Sequence, residues 1–102
     1  MTGGIGSSGP ESESGLGFRS PRIQRLRRLV SRREERRESG LVVVEGATLI
    51  QEALAAGWVC VEEFTSSGAT PVAVVEPTWV APGVLDRVAS TETPRPNIAI
   101  FA

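Results

Sequence analysis

Apolar residues recur along this chain with two different periods, and the periods divide it into alternating elements. Over residues 20–38, Ile23, Leu26, Leu29 and Val30 fall on one side of a cylinder at about 100° per residue, the mark of an amphipathic helix. Ser20 is placed to cap that helix and Pro21 suits its first turn. Gly40 stands just past its end, where a left-handed stop belongs. Residues 41–44, Leu-Val-Val-Val, form a short unbroken apolar run, the pattern of a buried strand rather than an edge. Glu45-Gly46 ends it. A second helix is expected over 47–56, with Leu49, Ile50, Ala53 and Leu54 inward and Gly57 as its stop. Strands at 58–64 and 72–75, a short helix at 82–89 and a last strand at 97–101 complete the order. Such alternation predicts the α/β class. The expected architecture is a small three-layer sandwich, a largely parallel sheet with flanking helices, preceded by the first helix.

The opening residues break this pattern. Residues 1–19 are rich in Gly, Ser and Glu and read as a disordered leader, which leaves 20–102 as the folded domain. A literal GxGxxG lies at Gly4, Gly6 and Gly9, but no strand precedes it and no helix follows. The dinucleotide-binding reading therefore fails on context.

Composition removes whole classes of chemistry. The 102 residues contain no His, so imidazole acid–base catalysis and Ser–His or Cys–His dyads are excluded. One cysteine, Cys60, permits neither an internal disulfide nor a cysteine metal cluster, and its neighbours suit a small core residue. No apolar run approaches the roughly 20 residues of a membrane span, and the N-terminus lacks the build of a signal peptide. The expectation is a cytoplasmic protein that carries no active site of its own.

Charge then changes the picture. The formal net charge is −1, yet every basic residue is Arg and nine of the 11 lie in residues 19–37. Against Glu34 and Glu35 that segment carries +7, the footprint of a polyanion contact, because clustered Arg releases counterions from phosphates. On a single helix, Arg25, Arg28, Arg32 and Arg36 would fall within a sector of roughly 80° opposite the apolar stripe. Arg33 and Arg37 would sit nearer the stripe, covering it with their stems.

These residues also carry a family resemblance. Residues 20–46, SPRIQRLRRLVSRREERRESGLVVVEG, resemble the opening of the substrate-binding domain of the SpoU/TrmH family of RNA ribose 2′-O-methyltransferases. The resemblance rests on Pro21-Arg22-Ile23, Leu26, Leu29, Arg36, Gly40 and Val43-Val44-Glu45-Gly46. Gln51-Glu52-Ala53-Leu54 with Gly57, and the closing phrase Thr91-Glu92-Thr93-Pro94, continue it in order. Ser20 stands where the family has Asn, and Val42 where an aromatic is common. The connection at 65–71 is shorter than usual, with room for one helix fewer. The motifs of the family's knotted catalytic domain have no counterpart in these 102 residues. The resemblance thus implies the recognition half of an enzyme. S-adenosylmethionine would be the cofactor of the absent domain, with none in this chain. Full-length members dimerise through that domain, so this chain alone is expected to be monomeric.

The expected partner is structured RNA, ribosomal or transfer, and not a membrane. Arg22, Arg25, Arg28, Arg32 and Arg36 are the candidate contacts, since a guanidinium grips phosphate bidentately and stacks on unpaired bases. The competing reading is a solvated face paired to Glu34 and Glu35. Glu45 could accept an RNA 2′-hydroxyl, or it could cap the next helix and pair with an Arg of the first, the structural role being favoured. Gly46 permits the tight turn there. Trp58 and Trp79 suit core or domain-interface positions better than base stacking. Two other functions stay open. One is a stand-alone, non-enzymatic RNA-binding module resembling a small ribosomal protein. The other is a basic helix that docks on an acidic protein or membrane surface.

Overall fold

A computed structural model describes residues 15–73, 75–90 and 95–102. The chain forms helices α1 (Pro21–Ser31) and α2 (Arg33–Ser39), strand β1 (Val42–Glu45) and helix α3 (Ala47–Ala55). Strands β2 (Cys60–Ser66) and β3 (Thr78–Val80), helix α4 (Val84–Val88) and strand β4 (Asn97–Phe101) follow. The strands make one sheet in the order β1-β4-β2-β3.

The α/β class and flanking helices are as expected, but the sheet is mixed rather than largely parallel. β4 runs antiparallel to both β1 and β2, and only β2 and β3 pair in parallel. The strand–helix alternation does send β1, β2 and β3 in one direction. The last strand then enters reversed between β1 and β2, and this insertion turns two of the three pairings antiparallel. β4 is accordingly buried at all five positions.

Helices cover both faces. On one, Ile23, Leu26 and Leu29 of α1 pack with Leu85 and Val88 of α4 against Phe64, Ile98 and Ile100. On the other, Ile50 and Ala53 of α3 pack on Ala99 and Phe101. At about 1.5–3 kcal/mol for each fully buried large apolar side chain, these two clusters are the main favourable term in folding.

Several local expectations are corrected. β1 is an edge strand, because an unbroken apolar run reports coverage of both faces, here through Val43 toward α1 and Val44 toward α3, and not strand neighbours on both sides. The third strand is Thr78–Val80 rather than 72–75, since the amides of Val72 and Ala73 bond to the Glu63 carboxylate instead of a ladder. Leu49, assigned inward, is 54% exposed. The leader does not extend to residue 19: Leu16 forms a bridge to Val80, donating to Trp79 O at 3.0 Å and accepting from Ala81 N at 2.9 Å. The earlier part of the leader, with its GxGxxG, and the Thr91-Glu92-Thr93-Pro94 phrase lie outside the described residues.

The helix expected over 20–38 is two helices. Arg32 is extended, with φ −119° and ψ 110°, and it begins α2 while closing α1. Ser31 Oγ donates to Arg27 O at 2.8 Å, a back-bond that bends helices. Glu34 and Glu35 then fall in a first turn, where the helix dipole favours acids.

Candidate nucleic-acid interface

α1 starts as its sequence dictates. Ser20 Oγ accepts from Arg22 N at 3.2 Å, Pro21 occupies the first turn, and the apolar stripe goes under. The outward side is then necessarily basic, and Arg25, Arg27 and Arg28 are all exposed on it. Arg25, Arg28 and Arg32 have no carboxylate within ion-pair distance among the described residues. Three unneutralised guanidiniums, two on α1 and one at the junction, give this face a positive field.

The other two candidates are engaged elsewhere, Arg36 because of the break at Arg32, and Arg22, though exposed, through a carboxylate of the sheet. Arg36 folds back instead of extending the row, and its Nη1 donates to Leu29 O at 2.7 Å and Val30 O at 3.0 Å. It thereby satisfies carbonyls that the end of α1 leaves open. Arg22 turns toward the sheet. Its Nη2 pairs with the Glu62 carboxylate and donates to Thr78 Oγ1 at 2.9 Å, while that hydroxyl donates to Glu62 at 2.8 Å. This triangle ties α1 to β2 and β3. The single stripe of Arg25, Arg28, Arg32 and Arg36 is therefore corrected to Arg25 and Arg28 on α1 with Arg32 at the junction.

Glu45 and Gly46 lie at another corner. The Glu45 carboxylate accepts from Ser90 Oγ at 2.6 Å and from Ser90 N at 3.1 Å, so its partner is the segment after α4, neither the α3 start nor an α1 arginine. Gly46 has φ +102°, and a Cβ there would come within 3.5 Å of the Arg95 side chain. The positive φ is what requires glycine, since the approach to Arg95 is ordinary van der Waals contact. Beside them is a pocket of about 600 Å³ whose apolar lining includes Val43, Val44, Leu49 and Trp58. Trp58 is 47% exposed and meets Phe101 edge to face, a rim position rather than a core one.

Sequence reading missed a buried acid. Glu63 is fully buried on the α3 face, and its carboxylate accepts from Thr65 Oγ1 at 2.9 Å and Asn97 Nδ2 at 2.8 Å. It also accepts from the amides of Val72, at 2.9 Å, and Ala73, at 2.7 Å. All of these partners are neutral. The carboxylate anchors the loop that joins the parallel pair β2 and β3, where a crossover helix is usual and none stands among the described residues. An acid pair inside an apolar strand was the available signal. Nearby, burial pushes the Cys60 thiol up, with Glu63 adding to the rise, so it is not an activated nucleophile. No group of acids and thiols among the described residues could hold a metal ion.

Comparison with known proteins places this geometry. The family model of the MRM3-like substrate-binding domain matches residues 20–99. Among curated proteins, none matches the chain by sequence. A crystal structure of an RNA 2′-O ribose methyltransferase superposes with TM-score 0.71 and 26% identity, over 84% of this chain and 36% of that one. An rRNA methyltransferase from Sinorhizobium meliloti superposes with TM-score 0.66 and 18% identity, over 84% and 35%. The SpoU methyltransferase AviRb from Streptomyces viridochromogenes, solved with AdoMet, gives TM-score 0.66 and 22% identity, over 81% and 35%. The chain thus spans about a third of the length of these proteins. The family model covers most of the 102 residues, and the chain belongs to the family of MRM3-like substrate-binding domains.

Proposed function

We propose that this chain is the RNA-recognition domain of an S-adenosylmethionine-dependent ribose 2′-O-methyltransferase that acts on ribosomal or transfer RNA. The observation that carries the reading is the exposed set Arg25, Arg28 and Arg32, free of acidic partners among the described residues. The similarity to an RNA 2′-O ribose methyltransferase supports the substrate class. In this reading the domain holds a structured RNA by its phosphates, and a domain outside these 102 residues binds the cofactor, which supplies the methyl group. The chain by itself is then a cytoplasmic monomer with no methyltransferase activity. Among the described residues no helix is long and apolar enough to cross a membrane.

A second reading keeps the RNA contact and drops the enzyme. The chain closes two cores of its own, which supports a stand-alone RNA-binding module. Both readings predict the same footprint. Titrating an RNA hairpin into the isotope-labelled chain should shift amide resonances along α1 and at Arg32. Shifts confined to the exposed edge of β1, with α1 unmoved, would contradict the assignment of the surface.

A further inference from the structure

Phe18 stands in a setting that the RNA-binding arginines of α1 do not explain. Its backbone is fixed from two directions. Phe18 O accepts from Gln24 Nε2 of α1 at 2.7 Å, and the preceding Leu16 is bonded on both sides to the β3 end. Over the ring lies the Arg87 guanidinium of α4, its carbon 3.8 Å from the ring centroid, and Arg27 of α1 stands 5.5 Å away. Gly17, Phe18, Arg19, Gln24 and Arg87 line an open cavity of about 770 Å³. Arg19, Arg27 and Arg87 are exposed and form no ion pair with a carboxylate among the described residues.

Two like charges therefore meet at one ring, with Arg19 on the adjoining cavity wall and no ion-paired acid among the described residues to balance them. The stacking partly holds them, because the ring quadrupole attracts a cation over its face. A guanidinium stacked in this way keeps two recognition elements free. Its in-plane N–H groups can grip a phosphate as a fork, and its outer face can carry a base. Arg87 also lies outside the basic segment, on an element that shares the α1 face of the sheet. Its place on Phe18 is made by tertiary structure, not by composition bias in one helix.

We infer that Phe18, Arg27 and Arg87 form a site for one unpaired nucleotide of RNA, continuous with the phosphate-binding face of α1. This rests on the RNA-binding reading above, and it adds a subsite selective for single-stranded over paired RNA. Arg87 takes the phosphate and stacks the base, Phe18 fixes the plane of Arg87, and Arg27 with Arg19 completes the positive field.

The test uses the 102-residue chain with two labelled RNAs, a hairpin bearing an unpaired loop and a blunt duplex of the same stem. Arg87→Gln should weaken hairpin binding about tenfold and leave the duplex within about threefold, since a stacked base contributes only in the hairpin. Phe18→Leu should weaken hairpin binding about threefold to tenfold without changing its salt slope, because no charge is removed. Circular dichroism confirms the fold of each variant, and the exposed Arg87 keeps the test decisive if Phe18→Leu unfolds. Equal losses on both RNAs would reduce Arg87 to a phosphate contact and overturn the nucleotide site. A variant with Arg25, Arg28 and Arg32 all changed to Gln separates the two claims. If it loses RNA while Arg87→Gln does not, the site falls and the RNA-binding reading stands. A chain that ignores both RNAs and binds an acidic peptide overturns both.

Discussion

Glu63 concentrates more structural consequence than any other polar side chain in the described fold. Removing its carboxylate would take the acceptor from the half-buried amides of Val72 and Ala73 and leave the buried Asn97 side-chain amide with Thr70 O alone. Glu63→Ala should therefore cost about 2–4 kcal/mol, by analogy with orphaned buried donors, and loosen the β2–β3 loop. Urea titration measures the first effect and amide exchange at Val72 and Ala73 the second. An unchanged midpoint would show that water replaces the acid without penalty. The Cys60 thiol, raised chiefly by burial, makes a pH-dependent contribution of its own. Its folded-state pKa exceeds the unfolded one, so that stability is full below the ordinary thiol range and is lost as pH rises through the folded value. Alkylation of Cys60 near the ordinary thiol pKa should accordingly run slower than in the urea-unfolded chain. Equal rates would contradict the burial effect.

At the scale of elements, the junction at Arg32 decides which arginines are available. Arg36 caps the carbonyls of Leu29 and Val30, so Arg36→Gln should destabilise the chain by roughly 1 kcal/mol while leaving RNA affinity nearly unchanged. A thermal melt beside an RNA titration checks both halves. A loss of affinity without a loss of stability would return Arg36 to the binding face. This break was partly legible, since Ser31-x-x-Glu34 has the spacing of a helix start and an acidic pair follows Arg33. The hydrophobic stripe concealed it, because Ile23, Leu26 and Leu29 all precede the junction and α2 buries nothing. β4 was readable at its observed bounds, and α1 at its start but not at its end. β3 was not. Two stretches there have strand-forming residues, and the selection between 72–75 and Thr78–Val80 depends on Glu63 capturing amides from a distant strand.

For the whole molecule, the sheet shows where local pattern stops informing topology. Alternating elements carry the direction of β1, β2 and β3, but nothing in residues 97–101 says that this strand enters the centre reversed. Of the candidate site, Arg25, Arg28 and Arg32 were legible from charge density. Phe18 and Arg87 were not, because their meeting depends on how α4 packs beside α1. Composition assigned residues 15–19 to the leader, yet Leu16 and Phe18 pack on the body. Deleting residues 1–14 should leave the melting temperature nearly unchanged, whereas deleting 1–19 should lower it by several degrees, since Leu16 and Phe18 pack on the body. Equal melting temperatures for the two truncations would show that this packing contributes nothing.

The central claim is that the unpaired arginines of the α1 face hold RNA by its phosphates. The salt dependence of hairpin binding, compared between the chain and its Arg25→Gln, Arg28→Gln, Arg32→Gln variant, tests it most directly. Gln is nearly as good a helix former as Arg, so the fold should persist. The account predicts a sharp fall in affinity and a slope of log K against log salt that flattens by roughly 2 to 3, at about 0.7 to 0.9 for each phosphate no longer neutralised. An unchanged affinity with an unchanged slope would contradict it, and the recognition surface would then lie elsewhere on the domain.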